Sequence, residues 1–431
     1  MPTPKKVLLL TYYWPPAGGA GVQRWLKMSK HIAKHCDLTI YRPENAHYPI
    51  KDESLEAEVP ENARIISHSI REPYAIAEML NPANKTYKKG HIEDEKEQSI
   101  LSKASLWLRA NLFIPDARAW WIMPSFNYLN QYLKENPQDI IITTGPPHSV
   151  HVIGLRLKLE NPDLKWIADF RDPWTQIDYF SKLPLRDSAL KKHQKLEKEV
   201  LSHADKVVTV SPSWAEELEV LGGKDVEVVY NGFDRENFKS HIPPDDKFTM
   251  TYVGSLNDDR NPRNLWNVLN DLCENETFRL NFKLNLIGNI SRHVKSEINQ
   301  FDNLKDQVAF INYIPHQQAI HQLQKSHILL LLINKTENEK GIIPGKFFEY
   351  LAAERKILCL GSEGIDIQKL IEKTNAGIFA EREDEEKIKE TLLIWHQKFK
   401  SGLLNQVRSQ QCSPYSRKEA AYKFTRMIQN I

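Results

Sequence analysis

Short apolar runs rich in valine, isoleucine and leucine recur along the chain, separated by longer amphipathic stretches. In the first half they are VLLLTYY (7–13), LTIY (38–41), DIIITT (139–144), KWIADF (165–170), KVVTV (206–210) and VEVVY (226–230). In the second half they are FTMTYVG (248–254), FKLNLIG (282–288), VAFI (308–311), HILLLLI (327–333) and KILCLG (356–361). Runs this apolar predict strands buried on both faces, hence parallel sheets covered by helices. The stretches between them suit crossover helices. The series occurs twice, and the polar, proline-bearing segment RENFKSHIPPDDK (235–247) reads as the linker. The pattern predicts two doubly wound α/β domains, 1–235 and 236–412, with a cleft between the carboxyl ends of their strands, where open sheets bind ligands. The stretch 51–121 is charged at HIEDEKEQ (91–98) and aromatic at 106–123, and reads as an insertion on the first domain.

Composition narrows the class. A chain of 431 residues suffices for two or three domains. With 41% hydrophobic and 26% charged residues, a packed core is expected rather than disorder. The 58 basic and 56 acidic side chains leave a net charge of +2, which argues against a nucleic-acid partner. Cys36, Cys273, Cys359 and Cys412 are widely spaced, without metal-ligand spacing, and fit a reducing compartment. The segment MPTPKK runs straight into a strand without a signal-peptide pattern, and no apolar stretch reaches the ~18 residues needed to span a bilayer. The expectation is a cytoplasmic protein, with contact at a membrane surface left open.

Chemistry gathers after the strands. The first run leads into YYWPPAGGAGVQRW, where Gly18, Gly19 and Gly21 let the backbone approach a ligand before a helix begins. The third position of a dinucleotide fingerprint is Arg24 rather than glycine, and Tyr41 and Arg42 stand where a ribose-binding acid belongs, which excludes a standard NAD site. A phosphate or sugar contact and a plain tight turn remain, and the three glycines favour the contact. In TTGPPHSVH (143–151) a rigid turn would present His148 to the cleft, with His151 one turn on. Each can bond a hydroxyl or simply cap the following helix. In ADFRDPW (168–174), Asp169, Arg171 and Asp172 cluster at a strand end, either as a salt-bridged scaffold or to bind acceptor hydroxyls and supply a base. Ser211 and Ser213 are alternative caps for the helix in VSPSWAEEL (210–218), and NGFD (231–234) is a tight turn.

In the second half, Arg260 and Arg263 follow the strand ending at Gly254 and precede a helix. The run PGKFFEYLAAERKILCLG (344–361) opens a helix with Lys346 in its first turn and Glu349 one turn on. Helix starts favour anions, so a diphosphate joined to a ribose matches the cations and the carboxylate together, although an ordinary helix start remains the alternative.

Together the PPAGGAGVQR loop, ADFRDPW, VSPSWAEEL with VVYNGFD, the VGSL opening of the second domain and GKFFEYLAA resemble the retaining glycosyltransferases of the family-4 type. The resemblance extends over nearly the whole chain. It implies the GT-B fold, two Rossmann-like domains facing across a cleft, and a nucleoside-diphosphate sugar held mainly by the second domain. Glu349 matches the second glutamate of the family's pair, which binds the ribose. Gly341 stands eight residues earlier and Glu339 is out of register, so the first acid is absent, as in a lysine-containing subset. The resemblance further implies that Arg260 or Arg263, with Lys346, meets the diphosphate. It makes Gly18, Gly19 and Gly21 approach the donor, His148 the cleft histidine, and 413–431 a final helix crossing back to the first domain. It implies no cofactor or bound metal, no covalent protein nucleophile, and a glycan or lipid-linked acceptor.

Trp107, Phe113, Trp120 and Trp121 would recognise the acceptor, touch a membrane interface, or pin the insertion by local packing. Two rivals share the fold: a sugar-nucleotide epimerase, and a non-catalytic assembly partner that binds no nucleotide.

Overall fold

The computed structural model describes residues 4–70, 100–178, 180–238, 242–404 and 412–431. The acidic run 91–98, part of the linker (239–241) and the stretch 405–411 lie outside the described residues. The chain divides into two compact units, Met1–Tyr230 with Arg417–Ile431, and Asn231–Ser416.

The first unit runs β1 (Lys6–Thr11), α1 (Ala20–Ile32), β2 (Asp37–Pro43), β3 (Arg64–His68), α2 (Ile100–Leu112), α3 (Ile122–Glu135), β4 (Ile140–Gly145) and α4 (Ser149–Glu160). It continues with β5 (Lys165–Phe170), α5 (Asp187–His203), β6 (Lys206–Thr209), α6 (Pro212–Val220) and β7 (Glu227–Val228). Its sheet has the order β3-β2-β1-β4-β5-β6-β7, with every pair parallel. Successive residues of β1 point to opposite faces, and both faces are apolar. Leu8 and Leu10 join a core with Ile141, Trp166 and Trp121, whereas Val7 and Leu9 join another with Ile142, Ile167 and Trp25. This two-sided burial is why the run reads as continuous rather than alternating.

The second unit comprises β8 (Phe248–Val253), α7 (Arg263–Leu272), α8 (Glu276–Asn281), β9 (Phe282–Ile287), α9 (Arg292–Ile298), β10 (Val308–Ile311) and α10 (His316–Lys325). It closes with β11 (Ile328–Leu332), α11 (Gly345–Ala352), β12 (Lys356–Gly361), α12 (Asp366–Thr374), β13 (Gly377–Glu381) and α13 (Glu385–Lys400). Its order, β10-β9-β8-β11-β12-β13, is that of a doubly wound Rossmann sheet, again wholly parallel. The last helix, α14 (Arg417–Asn430), belongs to the first unit, where Phe424 meets Trp25 at 4.8 Å. In both units the strand order reverses at the first strand, between β1 and β4 and between β8 and β11.

Three strands differ from the sequence pattern. RIISH, placed in the insertion, is β3, and GIFAE, unmarked beforehand, is β13. Both are edge strands with partly exposed residues, so neither reads as a buried run. Only Glu227–Val228 of VEVVY pairs as β7. At the start of α6, Ser211 takes the cap position, but its hydroxyl makes no cap bond and Pro212 supplies the first turn.

Candidate active site

At the reversal in the first unit, Gly18 N donates to Ile50 O at 2.9 Å. A Cβ at Gly18 would lie 2.9 Å from Ile50 Cγ2, so a side chain there would have to push the exposed Ile50 aside. Gly19, at φ +85°, turns the chain into α1, which starts with no side-chain cap and no acid in its first turn. Gly21 lies against the Tyr13 ring, and its carbonyl accepts from Arg171 Nη1 at 2.5 Å.

Asp169 is fully buried. Its carboxylate accepts from Arg24 Nη2 (3.0 Å), Arg24 Nε (3.3 Å), Trp25 Nε1 (2.7 Å) and Thr144 Oγ1 (2.9 Å). Arg171 gives Nε to Gly145 O (3.1 Å) and Nη2 to Pro146 O (2.5 Å), so its three nitrogens tie the glycine loop to the Gly-Pro-Pro turn. The acid–arginine scaffold therefore joins Asp169 to Arg24 of α1, while Arg171 serves backbone carbonyls. Asp172 accepts no hydrogen bond among the described residues, and burial raises its carboxyl above the usual range while Arg171 pulls it back.

His148 Nε2 meets Pro173 O at 3.2 Å, and its ring stacks on Trp174 with centroids 5.1 Å apart. A carbonyl only accepts, so Nε2 carries the proton and Nδ1 keeps its lone pair. That Nδ1 is buried and has no hydrogen-bond partner among the described residues. Burial pushes His148 down to about 3, so it stays neutral. His151 is wholly buried, bonds Thr143 Oγ1 at 2.8 Å and stacks on Phe170, which makes it part of the core. Neither histidine caps α4. Asp116, from the segment before α3, does so, accepting from Ser149 N (2.7 Å) and Ser149 Oγ (3.0 Å).

At the reversal in the second unit, Lys346 Nζ reaches from the first turn of α11 to Val253 O (3.0 Å) and Tyr252 Oη (3.3 Å), over the Tyr252 ring at 4.4 Å. Burial, then the nearby Arg260 charge, pushes Lys346 down to about 7, while Glu349 pulls it up. Arg260 bonds Asn334, just beyond β11, through Nε. Two cations thus stand together beside an uncapped helix start that has no acid in its first turn. Such a cluster favours an anion. Arg263 is more exposed and pairs with Glu297 at 3.2 Å, outside this cluster. Glu349 accepts from His316 Nε2 at 2.8 Å. Glu339 is occupied by Ser362 N (2.9 Å), Ser362 Oγ (3.0 Å) and Arg382 Nη2 (2.5 Å). A cavity of about 360 Å³ is lined by Ile311 and Ile314, from the end of β10 and the loop after it, and by Gln317, Gln318, His321 and Gln322 of α10, none of which belongs to the cation cluster.

Sequence reasoning missed Asp116, His193, Glu197 and His316. His193 accepts from Trp174 Nε1 (3.0 Å) and Glu197 from Thr175 Oγ1 (2.5 Å), so α5 pins the loop that follows Asp172. Their four-residue spacing on one helix was the available signal. Among the described residues no group of histidine, cysteine and acidic side chains is arranged to hold a metal ion, and no helix is long and apolar enough to cross a membrane.

Residues 91–237 match the family model described as Glycosyltransferase Family 4, and residues 233–399 match that of Glycosyl transferases group 1. The chain is a glycosyltransferase built from these two domains in the GT-B fold. Among similar solved structures is the sucrose-phosphate synthase of Thermosynechococcus elongatus, with 13% identity, 99% of this chain and 98% of that chain covered, and a TM-score of 0.61. Anabaena HepE in complex with UDP and glucose shares 12% identity over 99% of this chain and 100% of that chain, at 0.62. WaaG, a glycosyltransferase involved in lipopolysaccharide biosynthesis, shares 12% over the same 99% and 100%, at 0.56. At these identities the likeness is one of fold. No curated protein matches the chain in sequence.

Proposed function

We propose that the protein is a retaining glycosyltransferase that moves a sugar from a nucleoside diphosphate to an acceptor hydroxyl. The observation that carries this reading is the Lys346–Arg260 pair at the start of α11, with Glu349 one turn along the same helix. Lys346, Arg260 and the α11 N–H groups take the diphosphate, and Glu349 takes the ribose hydroxyls. As the glycosidic bond lengthens, charge builds on the leaving diphosphate, where these groups lower its energy. Attack from the face the diphosphate leaves keeps the anomeric configuration without a covalent protein intermediate. HepE was solved with UDP and glucose, which supports a nucleotide-sugar donor.

In the first unit, Gly18, Gly19 and Gly21 give the donor a close backbone surface. Asp169 and Arg171 hold the loops that carry His148 and Asp172. His148, neutral and closed to solvent at Nδ1, shapes the turn that meets the sugar, and Asp172 orients the incoming hydroxyl. Arg263, already paired with Glu297, supplies secondary positive charge. The acceptor in this reading is a glycan or a lipid-linked sugar of a surface polysaccharide or glycolipid, a role WaaG's part in lipopolysaccharide synthesis supports. Exposed Leu108, Leu112, Trp120 and Met123 suit a peripheral contact with the inner membrane face.

A panel of UDP- and GDP-sugars tests the reading. One donor should be hydrolysed slowly without acceptor, and an α-linked donor should release the α-anomer first by proton NMR. Release of the β-anomer would replace retention with inversion, and turnover of no donor would overturn the activity.

A further inference from the structure

Lys346 and Glu349 lie three residues apart on α11, a spacing at which opposite charges on a helix ordinarily pair. They do not pair. Lys346 Nζ is drawn to Val253 O and Tyr252 Oη, and Glu349 Oε1 is taken by His316 Nε2 at 2.8 Å. His316 opens α10, so its position is set by a different helix from the one that carries both charges. Glu349 retains about a quarter of its side-chain exposure, so in the absence of His316 solvent would allow it to turn along its own helix.

We infer that His316 is a positioning residue that holds the Glu349 carboxylate away from Lys346, keeping the cation for phosphate and the carboxylate for the pentose. A closed Lys346–Glu349 pair would neutralise both ends of the nucleotide site. The imidazole N–H occupies Oε1 and leaves Oε2 free for a hydroxyl. The separation follows from the contacts alone, and its meaning for nucleotide binding rests on the function proposed above.

Two readouts on the intact chain test it. The titration of Lys346, followed by NMR on 13Cε-labelled lysine and assigned with Lys346→Arg, reports whether Glu349 has turned onto the ammonium. Affinity for UDP and GDP, by calorimetry, reports the consequence. His316→Ala should raise the Lys346 titration and weaken nucleotide binding about three- to tenfold. His316→Gln, which keeps an N–H donor at similar reach, should restore both. In a Glu349→Gln background, removing His316 should no longer move Lys346. An unmoved Lys346 titration in His316→Ala, or a His316→Gln variant no better than alanine, overturns the inference. If His316→Ala moves Lys346 but Lys346→Met and Glu349→Ala leave nucleotide affinity untouched, the separation stands and the nucleotide reading falls.

Discussion

Arg24 grips Asp169 across 145 residues of sequence, through Nη2 to Oδ1 at 3.0 Å and Nε to Oδ2 at 3.3 Å, with both side chains buried. A buried carboxylate is tolerable only while its donors are present. Arg24→Met should destabilise the first unit by about 3–5 kcal/mol, because Trp25 and Thr144 alone cannot compensate the charge. Adding Asp169→Asn should recover part of that loss. Urea unfolding of the two variants and the parent checks both signs.

Glu197 gives the fold a pH dependence. Burial lifts its carboxyl from 4.5 to about 7, against the pull of its bonds from Thr175. The native state therefore holds a proton that the unfolded chain has already lost between about pH 4.5 and 7, and stability falls as pH rises through that window. The loss approaches about 3 kcal/mol above pH 7. Glu197→Gln should flatten this fall, as read from denaturation midpoints at pH 5 and pH 8.

Lys346 predicts the pH dependence of nucleotide affinity. Its ammonium titrates at about 7 in the free protein, and an adjacent diphosphate raises that value. Binding above pH 7 should therefore take up a proton, and affinity for the preferred nucleotide should fall up to about tenfold per pH unit from 7.5 upward. Calorimetry in buffers of different ionisation enthalpy measures the proton uptake. Lys346→Met should bind weakly and without this slope.

Gly254 separates backbone strain from contact. It sits at φ +138°, and a Cβ there would lie 2.7 Å from Lys346 Nζ. Gly364, at φ +80°, has nothing within 4 Å of such a Cβ. Alanine at either position should cost about 1–3 kcal/mol of stability in backbone strain. Only Gly254→Ala should also weaken nucleotide binding, by displacing the ammonium.

The central strands were legible because both faces of β1 and β11 are apolar, so their runs stand out unbroken, and because β8 interrupts its apolar residues only with the buried Thr249 and Thr251. Edge strands β3 and β13 were not, since partly exposed residues dilute the signal. Lys346 and Glu349 could be singled out because one helix start carries both. The partners of Asp169 and Glu349 could not, because Arg24 and His316 reach them from distant elements and nothing local in the sequence encodes the pairing. The cap on α4 was hidden for the same reason: Asp116 lies 33 residues before Ser149.

The most direct test of the account is calorimetric titration of the intact protein with UDP and with GDP, alongside Lys346→Met and Glu349→Ala. The account predicts that at least one nucleotide binds the parent and that each substitution weakens it at least tenfold. Equal affinity in all three proteins, or no binding by the parent to either nucleotide, would contradict it.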